Sequence, residues 1–516
     1  MEYRKCRGVG LLVREMMAMR EIMAVRGLEG MLARDNSRAR VHEREIANAS
    51  RAGLLVGGGM LVRALKQGMR RACIGLLLFA LAGCSDGNAV IQEPPVYRIQ
   101  SGSDLTLFTA TDTHYLAPGL TDGGAAFRSF LAAGDGKQLE YSNEMIQALA
   151  YDVQTQRPDV LILSGDLTNN GERESHLELA RHLQQIEQSS GTRVYVVPGN
   201  HDLLNPWAQS FKGRRRYDTE SIDTANFRSI YSHFGYDEAL SRDKESLSYL
   251  AAPADDLWLL MLDTTQSRNN AKLGSPQLDG RLGAATLQWI DACGKLAAKE
   301  GAQLVAVMHH NLLDHSELIQ EGFTINDRQQ VTDTLINNGV AATLSGHIHI
   351  QDISTYQQGS HPIYDIANSA LSVYPHQYGV LKYSAAARTL DYSTTRLNME
   401  LWAAANGSKD PNLLQFGTYS KEAFSNRSAK RSYARLSANS IYSGYTPEER
   451  WRMAETVGRL NEIYFAGTGA TELPAVLSSA GYKLWLDAPA DGLKHYVLTM
   501  AQREKKNNQQ LHVQLP

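Results

Sequence analysis

The chain has 516 residues, 43% of them hydrophobic, which is more than one core can use, so at least two domains are expected. Its 52 Lys+Arg nearly balance 55 Asp+Glu. The first 83 residues, however, hold 15 of the former and 7 of the latter, leaving 37 and 48 over residues 84–516, a net of −11. Such an acidic surface repels polyanions, so a nucleic-acid polymer is not the expected partner.

Residues 1–68 are rich in Arg and Met (Arg4, Arg7, Arg14, Arg20, Arg26 and Arg34) and lack a sustained apolar face. They read as an over-extended start or an unstructured arm, with a transit or regulatory segment as the alternative. Residues 69–83 read as a signal peptide: Arg70 and Arg71 form a basic region, Ile74 to Ala82 an apolar run, and Leu81-Ala82-Gly83-Cys84 a lipobox-like end. The apolar run is far below the ~20 residues that span a bilayer. Cys84 is the expected lipidation site, and lipid there is the expected membrane contact. Ser85 after it resembles outer-membrane sorting in Gram-negative bacteria, so an exported lipoprotein facing the periplasm is expected. Cys6 and Cys73 precede this point and only Cys293 follows it, so the processed form has no intramolecular disulfide.

Residues 84–103, with Pro94-Pro95, read as a tether and lead-in strand. Five strand-like runs follow, each rich in Leu or β-branched residues and each ending in a polar motif. Leu105 to Phe108 leads to Asp112-x-His114, and Val160 to Leu163 leads to Gly165-Asp166. Val194 to Val197 leads to Gly199-Asn200-His201-Asp202, Leu304 to Val307 to His309, and Val340 to Leu344 to Gly346-His347-x-His349. Open α/β sheets gather their ligands outside the carboxyl ends of strands in this way.

The residue types suit a two-metal site. Two cations ~3.5–4 Å apart clamp the attacking and departing oxygens of a phosphoryl displacement. Holding them needs a bridging carboxylate, and Asp166 is the candidate. Imidazole with carboxylate favours Fe, Mn or Zn, as divalent or trivalent ions. Asn200 adds a neutral oxygen, which leaves His201 as the acid or hydrogen-bond donor to phosphate. His347 and His349 would face opposite ways in a strand, so a loop is required there, and Gly346 permits one.

This ordered set resembles the calcineurin-like metallophosphoesterase superfamily over roughly residues 104 to 395. The resemblance implies a four-layer αββα sandwich, an α/β fold, over residues 104–396. It implies one metal on Asp112, His114, Asp166 and His349, and a second on Asp166, Asn200, His309 and His347, with His201 catalytic. Asn169 stands where purple acid phosphatases carry a Tyr, and the run after Asp166 lacks the Asp-Arg-Gly of serine/threonine protein phosphatases. The Gly-Asp-Leu-Thr-x-x-Gly form, with Thr111-Asp-Thr-His-Tyr-Leu-Ala-Pro and Asn205-Pro-Trp207, is most similar to class III cyclic nucleotide phosphodiesterase-like bacterial lipoproteins with a C-terminal helical domain.

The insertion from Tyr115 to Leu139 is Gly-rich, and a lid or a plain surface loop both fit it. Asn169 and His310 are candidate substrate contacts, and Asn368 and His376 candidate rim residues. Cys293, in the helix-like run Ala284 to Lys299, reads as a small buried hydrophobe. Residues 397–516 read as a smaller, mainly α-helical accessory domain. Met399 to Ala405 and Ser420 to Phe424 look helical there, and Thr446-Pro-Glu-Glu449 is a helix start with a capping box.

The function implied is dinuclear, metal-dependent hydrolysis of a small phosphodiester, first of all a cyclic nucleotide, by attack of a metal-bridging hydroxide. Alternatives are a phosphomonoesterase, a phospholipid-headgroup phosphodiesterase, or a non-catalytic surface-binding lipoprotein.

Overall fold

The structure, a computed structural model, describes residues 98–516 except 135, 359–360 and 504–505. The arm, the signal segment, Cys84 and the tether up to residue 97 therefore lie outside the described residues. Each of the five strand-like runs lies in a strand, whereas of the lead-in stretch only residues 98–103 are described, with one isolated bridge, Ile99 to Ala254. β1 is Leu105–Ala110, β2 Val160–Ser164, β3 Arg193–Val197, β4 Gln209–Lys212, β5 Arg215–Asp218, β6 Ser241–Arg242, β7 Tyr249–Ala251 and β8 Leu257–Leu262. β9 is Gln303–Met308, β10 Val340–Ser345, β11 Asp352–Gln358, β12 His361–Ala367, β13 Gln377–Ser384, β14 Thr389–Arg396 and β15 Gln510–Gln514.

Two sheets form. The first has the order β15-β14-β13-β1-β2-β3 and the second β11-β12-β10-β9-β8-β7-β6, while β4 and β5 make a separate hairpin. β1, β2 and β3 run parallel, as do β8, β9, β10 and β12.

The two-residue period of a strand explains the layering. Leu257, Leu259 and Met261 of β8, with Val305 and Val307 of β9, join one core with β1, β2 and β3. Their neighbours Trp258, Leu260, Leu262, Leu304, Ala306 and Met308 join a second core with Leu287, Ile290 and Cys293 of the helix Ala284–Glu300 and with Val331 and Leu335 of the helix Arg328–Asn337. The first sheet is covered on its other side by the helices Ser142–Gln156 and Arg173–Ser190, through Ile146, Leu149, Leu179 and Leu183. The result is mixed sheets flanked by helices, as expected, and each fully buried Leu contributes roughly 1.5–3 kcal/mol. Cys293 is buried with a free thiol.

Past β14 the chain is helical from Met399 to Arg503. The helix Pro447–Ala466 begins at the predicted capping box, in which Thr446 and Glu449 bond each other's backbone. β15 then returns to the first sheet and pairs with β14, Leu390 opposite Val513. None of the described helices is long and apolar enough to cross a membrane.

Candidate metal centre

The carboxyl ends of β1, β2, β3, β9 and β10 meet at one edge of the sandwich, and their polar residues converge there. Ligand atoms of Asp112, His114, Asp166 and His349 all lie within 4.8 Å of one another, and so do those of Asp166, His309 and His347. Asp166 belongs to both groups. Its Oδ2 is 3.7 Å from His114 Nε2 and 3.4 Å from His309 Nε2. Asn200 Oδ1 joins the second group, 3.1 Å from His309 Nε2.

The local backbone shows how such a cluster is held. Asp112, His114, Asp166, His347 and His349 all have left-handed backbone, with φ from 41° to 67°. That conformation is costly for residues with a Cβ and persists where surrounding structure over-determines it. Gly165, at φ +97°, lets β2 turn, and a Cβ there would lie 2.6 Å from His309 Nδ1. Gly346 serves differently from the expected loop freedom: a Cβ on it would lie 1.9 Å from Thr111 Oγ1, so it is glycine for space.

Four of the ligands have a second contact that fixes which atom remains for an ion. Asp112 Oδ2 accepts from Thr111 Oγ1 (2.7 Å) and His347 N (2.9 Å), while its buried Oδ1 has no hydrogen-bond donor in good geometry. Asp166 Oδ1 accepts from His201 N at 2.8 Å, which leaves Oδ2 between the two groups. His309 Nδ1 donates to Ser164 O at 3.0 Å, leaving Nε2. His347 Nε2 donates to Gly322 O at 3.0 Å, leaving Nδ1. His114 and His349 point Nε2 at each other across 3.2 Å, close to two carboxylates. Convergent, buried lone pairs of this kind are costly unless a cation lies among them. The nitrogen and oxygen set suits Mn, Fe or Zn.

Electrostatics agree. Burial alone would raise the Asp166 carboxyl, but the charges of His309 and His201 hold it well below the usual range. Burial works against a charged His309, yet Asp166 and Asp112 push it up to about 9. His114 is held well below its ordinary value by burial and then by the charge of Lys137, which the insertion brings near.

His201 lies beside the cluster, its ring 5.1 Å from that of His114. Its Nδ1 donates to Asn169 O (2.8 Å) and Asn170 Oδ1 (3.1 Å), which commits that nitrogen and makes Nε2 the candidate for proton chemistry. Asn169 thus meets this site through its backbone, while its side chain turns to Glu172. His310 is fully buried. Its Nδ1 is 2.7 Å from Thr264 Oγ1, its Nε2 donates to Leu278 O, and its ring lies 4.4 Å from that of His347. Both nitrogens of His310 are thus engaged within the chain, and its ring backs His347. Asn368 and His376 are likewise buried, Asn368 accepting from Tyr392 and His376 donating to Leu371 O.

Three contributors had no assigned role in the sequence reading. Asp202 accepts from the backbone N–H groups of Leu167, Thr168 and Gly199, and so ties the β2 and β3 motifs together. Ser372 donates to Asp112 O at 2.8 Å. Asn311 Nδ2 donates to Ser345 Oγ and Gly346 O. Only Asp202 carried a signal, its place inside Gly-Asn-His-Asp.

Residues 106–351 match the family described as calcineurin-like phosphoesterase, and residues 398–507 match the C-terminal domain of cyclic nucleotide phosphodiesterase. Two curated relatives are each named "Probable cyclic nucleotide phosphodiesterase". The one from Psychrobacter sp. (strain PRwf-1) is 27% identical over 214 residues, 41% of this chain and 52% of that protein. The one from Rhodococcus erythropolis (strain PR4 / NBRC 100887) is 22% identical over 200 residues, 39% and 54%. The chain thus spans about half the length of the curated relatives it matches. Among solved structures it is similar to a dimetal phosphatase from Danio rerio (14% identity, TM-score 0.40, 56% of this chain and 95% of that one). It is also similar to the protein TT1561 of Thermus thermophilus (11% identity, TM-score 0.33, 57% and 100%).

Proposed function

We propose that this chain, which carries a calcineurin-like phosphoesterase domain over residues 106–351, is a metal-dependent hydrolase that cleaves a small phosphodiester, with a cyclic nucleotide as substrate. The observation that carries this reading is the pair of ligand groups sharing Asp166. Asp112, His114, Asp166 and His349 would hold one ion, and Asp166, Asn200, His309 and His347 the other. When bound, such ions neutralise charge on the phosphoryl oxygens and supply a nucleophile at neutral pH.

The chain's own groups do the rest. Two acceptors hold the Nδ1 proton of His201, so a proton given to the substrate would be carried on its Nε2. That proton can stabilise charge on phosphate or pass to the leaving oxygen. The choice of cyclic nucleotide is supported by the printed names of both relatives and by the matched C-terminal domain. The acidic balance of residues 84–516 speaks for a small ester over a polymer.

The test is hydrolysis after chelation and restoration with Mn²⁺, on cAMP, cGMP, 2′,3′-cyclic nucleotides, bis-p-nitrophenyl phosphate and p-nitrophenyl phosphate. Turnover of cyclic nucleotides above both nitrophenyl esters is expected. Turnover of the monoester alone would replace the reading with a phosphomonoesterase, and none at all would favour a binding protein.

A further inference from the structure

His347 and His349 serve different ligand groups, and the residue between them is Ile348. It is 3% exposed, and Ile350 is 2% exposed. Both lie in a core made mainly by the C-terminal helices, with Met453, Val457, Leu460, Ile463 and Tyr464. Phe323 belongs to the same core, and its ring lies 4.9 Å from that of His347. The spacer of the ligand pair is thus anchored in the helical region, and its two neighbours stand in left-handed backbone.

A buried polar chain reaches the same loop from the same side. His315 Nδ1 is 2.8 Å from Asp352 Oδ2, and its Nε2 is 2.9 Å from Asp365 Oδ2. All three residues are 1% exposed or less. A ring that donates from both nitrogens is an imidazolium, and two carboxylates stabilise it. Asp365 Oδ1 accepts from Ser345 Oγ at 3.0 Å. Ser345 Oγ in turn accepts from Asn311, whose amide also donates to Gly346 O at 3.0 Å. Gly346 N donates to His309 O. At the far end, Lys506 Nζ lies 3.1 Å from Asp352 Oδ1, and Tyr464 OH donates to His315 O at 3.5 Å. The chain runs from the C-terminal region to the backbone of His309 and of the loop Gly346–His349.

We propose that the helical C-terminal region is a positioning element for the metal centre, acting through Ile348 and through the Asp352–His315–Asp365 relay. A loop strained at His347 and His349 keeps its ligands aimed only while both its apolar anchor and its polar backing hold. The accessory region therefore sets metal affinity at the second group without touching metal or substrate. Outer contacts of this kind typically shift metal affinity 10–100-fold. The proposal rests on the two-metal reading above.

The test is Mn²⁺ titration calorimetry on chelated full-length protein, alongside the melting temperature of the metal-free form. His315→Gln and Ile348→Ala should weaken one of two Mn²⁺ equivalents 10–100-fold. Leu183→Ala, buried in a distant helix, should lower the metal-free melting temperature and leave both affinities as in wild type. If His315→Gln or Ile348→Ala fails to fold, Lys506→Ala and Asp352→Asn carry the test, with the same sign and a smaller shift. Wild-type affinities in all folded relay variants would overturn the proposal, as would equal weakening by Leu183→Ala. Wild-type protein that binds two equivalents but hydrolyses no phosphodiester would overturn the functional reading alone, because the titration needs no turnover.

Discussion

At the residue scale, the side chains that the structure gathers were legible because a metal site restricts its candidates to Asp, His and Asn at strand ends, and each motif sat after an apolar run. What was not legible is the backbone. Nothing in the letters of Asp112, His114 or His347 says that they adopt positive φ, since only contacts distant in sequence over-determine it. The partners of the His310 ring were illegible for the same reason, because Thr264 and Leu278 are remote in sequence. Two predictions belong here. Asp166→Ala removes the carboxylate shared by both groups, so activity should vanish and metal content fall below that of wild type; two full equivalents by metal analysis would refute the bridging role. His201→Ala should lose ~10²–10⁴ in turnover with metal content unchanged, the scale of a lost general acid. The loss should be smaller on a p-nitrophenyl ester, whose leaving group hardly needs a proton. Equal losses on both esters would favour phosphate positioning over proton donation.

At the element scale, the strands that lead to the polar motifs, β1, β2, β3, β9 and β10, and the start of the helix Pro447–Ala466 were readable from period and capping residues, with strand ends within two residues of the expected ones, while the other ten described strands were not. β15 was not foreseen. Gln510–Gln514 has a short, polar-flanked pattern, and its pairing with β14 is a long-range event that local periodicity does not encode. The insertion after His114 forms the helix Ala125–Ala133, and Arg427 and Arg431 of the helix Phe416–Ala438 donate to backbone carbonyls at its end. Relay residue His315 gives a pH prediction at this scale. Burial opposes its charge, but Asp365 and Asp352 push it up to about 9 from an ordinary value of 6.5, with Lys506 the other charge nearby. A raised pKa contributes stability that is complete below about 6.5 and is lost as pH rises through about 9. Urea midpoints of wild type should therefore fall across that window by more than those of His315→Gln. Parallel profiles would show that His315 carries no linked charge.

At the scale of the whole molecule, the change from strands to helices near residue 397 marks a change of element type, yet the packing crosses it. Phe323, Ile348, Ile350 and Ala367 from the strand-rich half share one core with Leu436, Met453, Leu460 and Trp485 from the helical half. Val513 and Leu515, beyond the last helix, are buried in the core of the first sheet. Helix faces read from sequence show which side is apolar but not what it meets. Two regions that share a core and a sheet cannot expose that core without losing it on both sides. The full chain should therefore unfold in one calorimetric transition that reports both regions, with near-ultraviolet and far-ultraviolet signals coinciding. Mn²⁺ held by the folded form alone should raise that single transition, since ligand at 100 times Kd adds about 2.7 kcal/mol. Two transitions, only one of them moved by Mn²⁺, would show that the halves are independent and that the helical region has no hold on the metal loop.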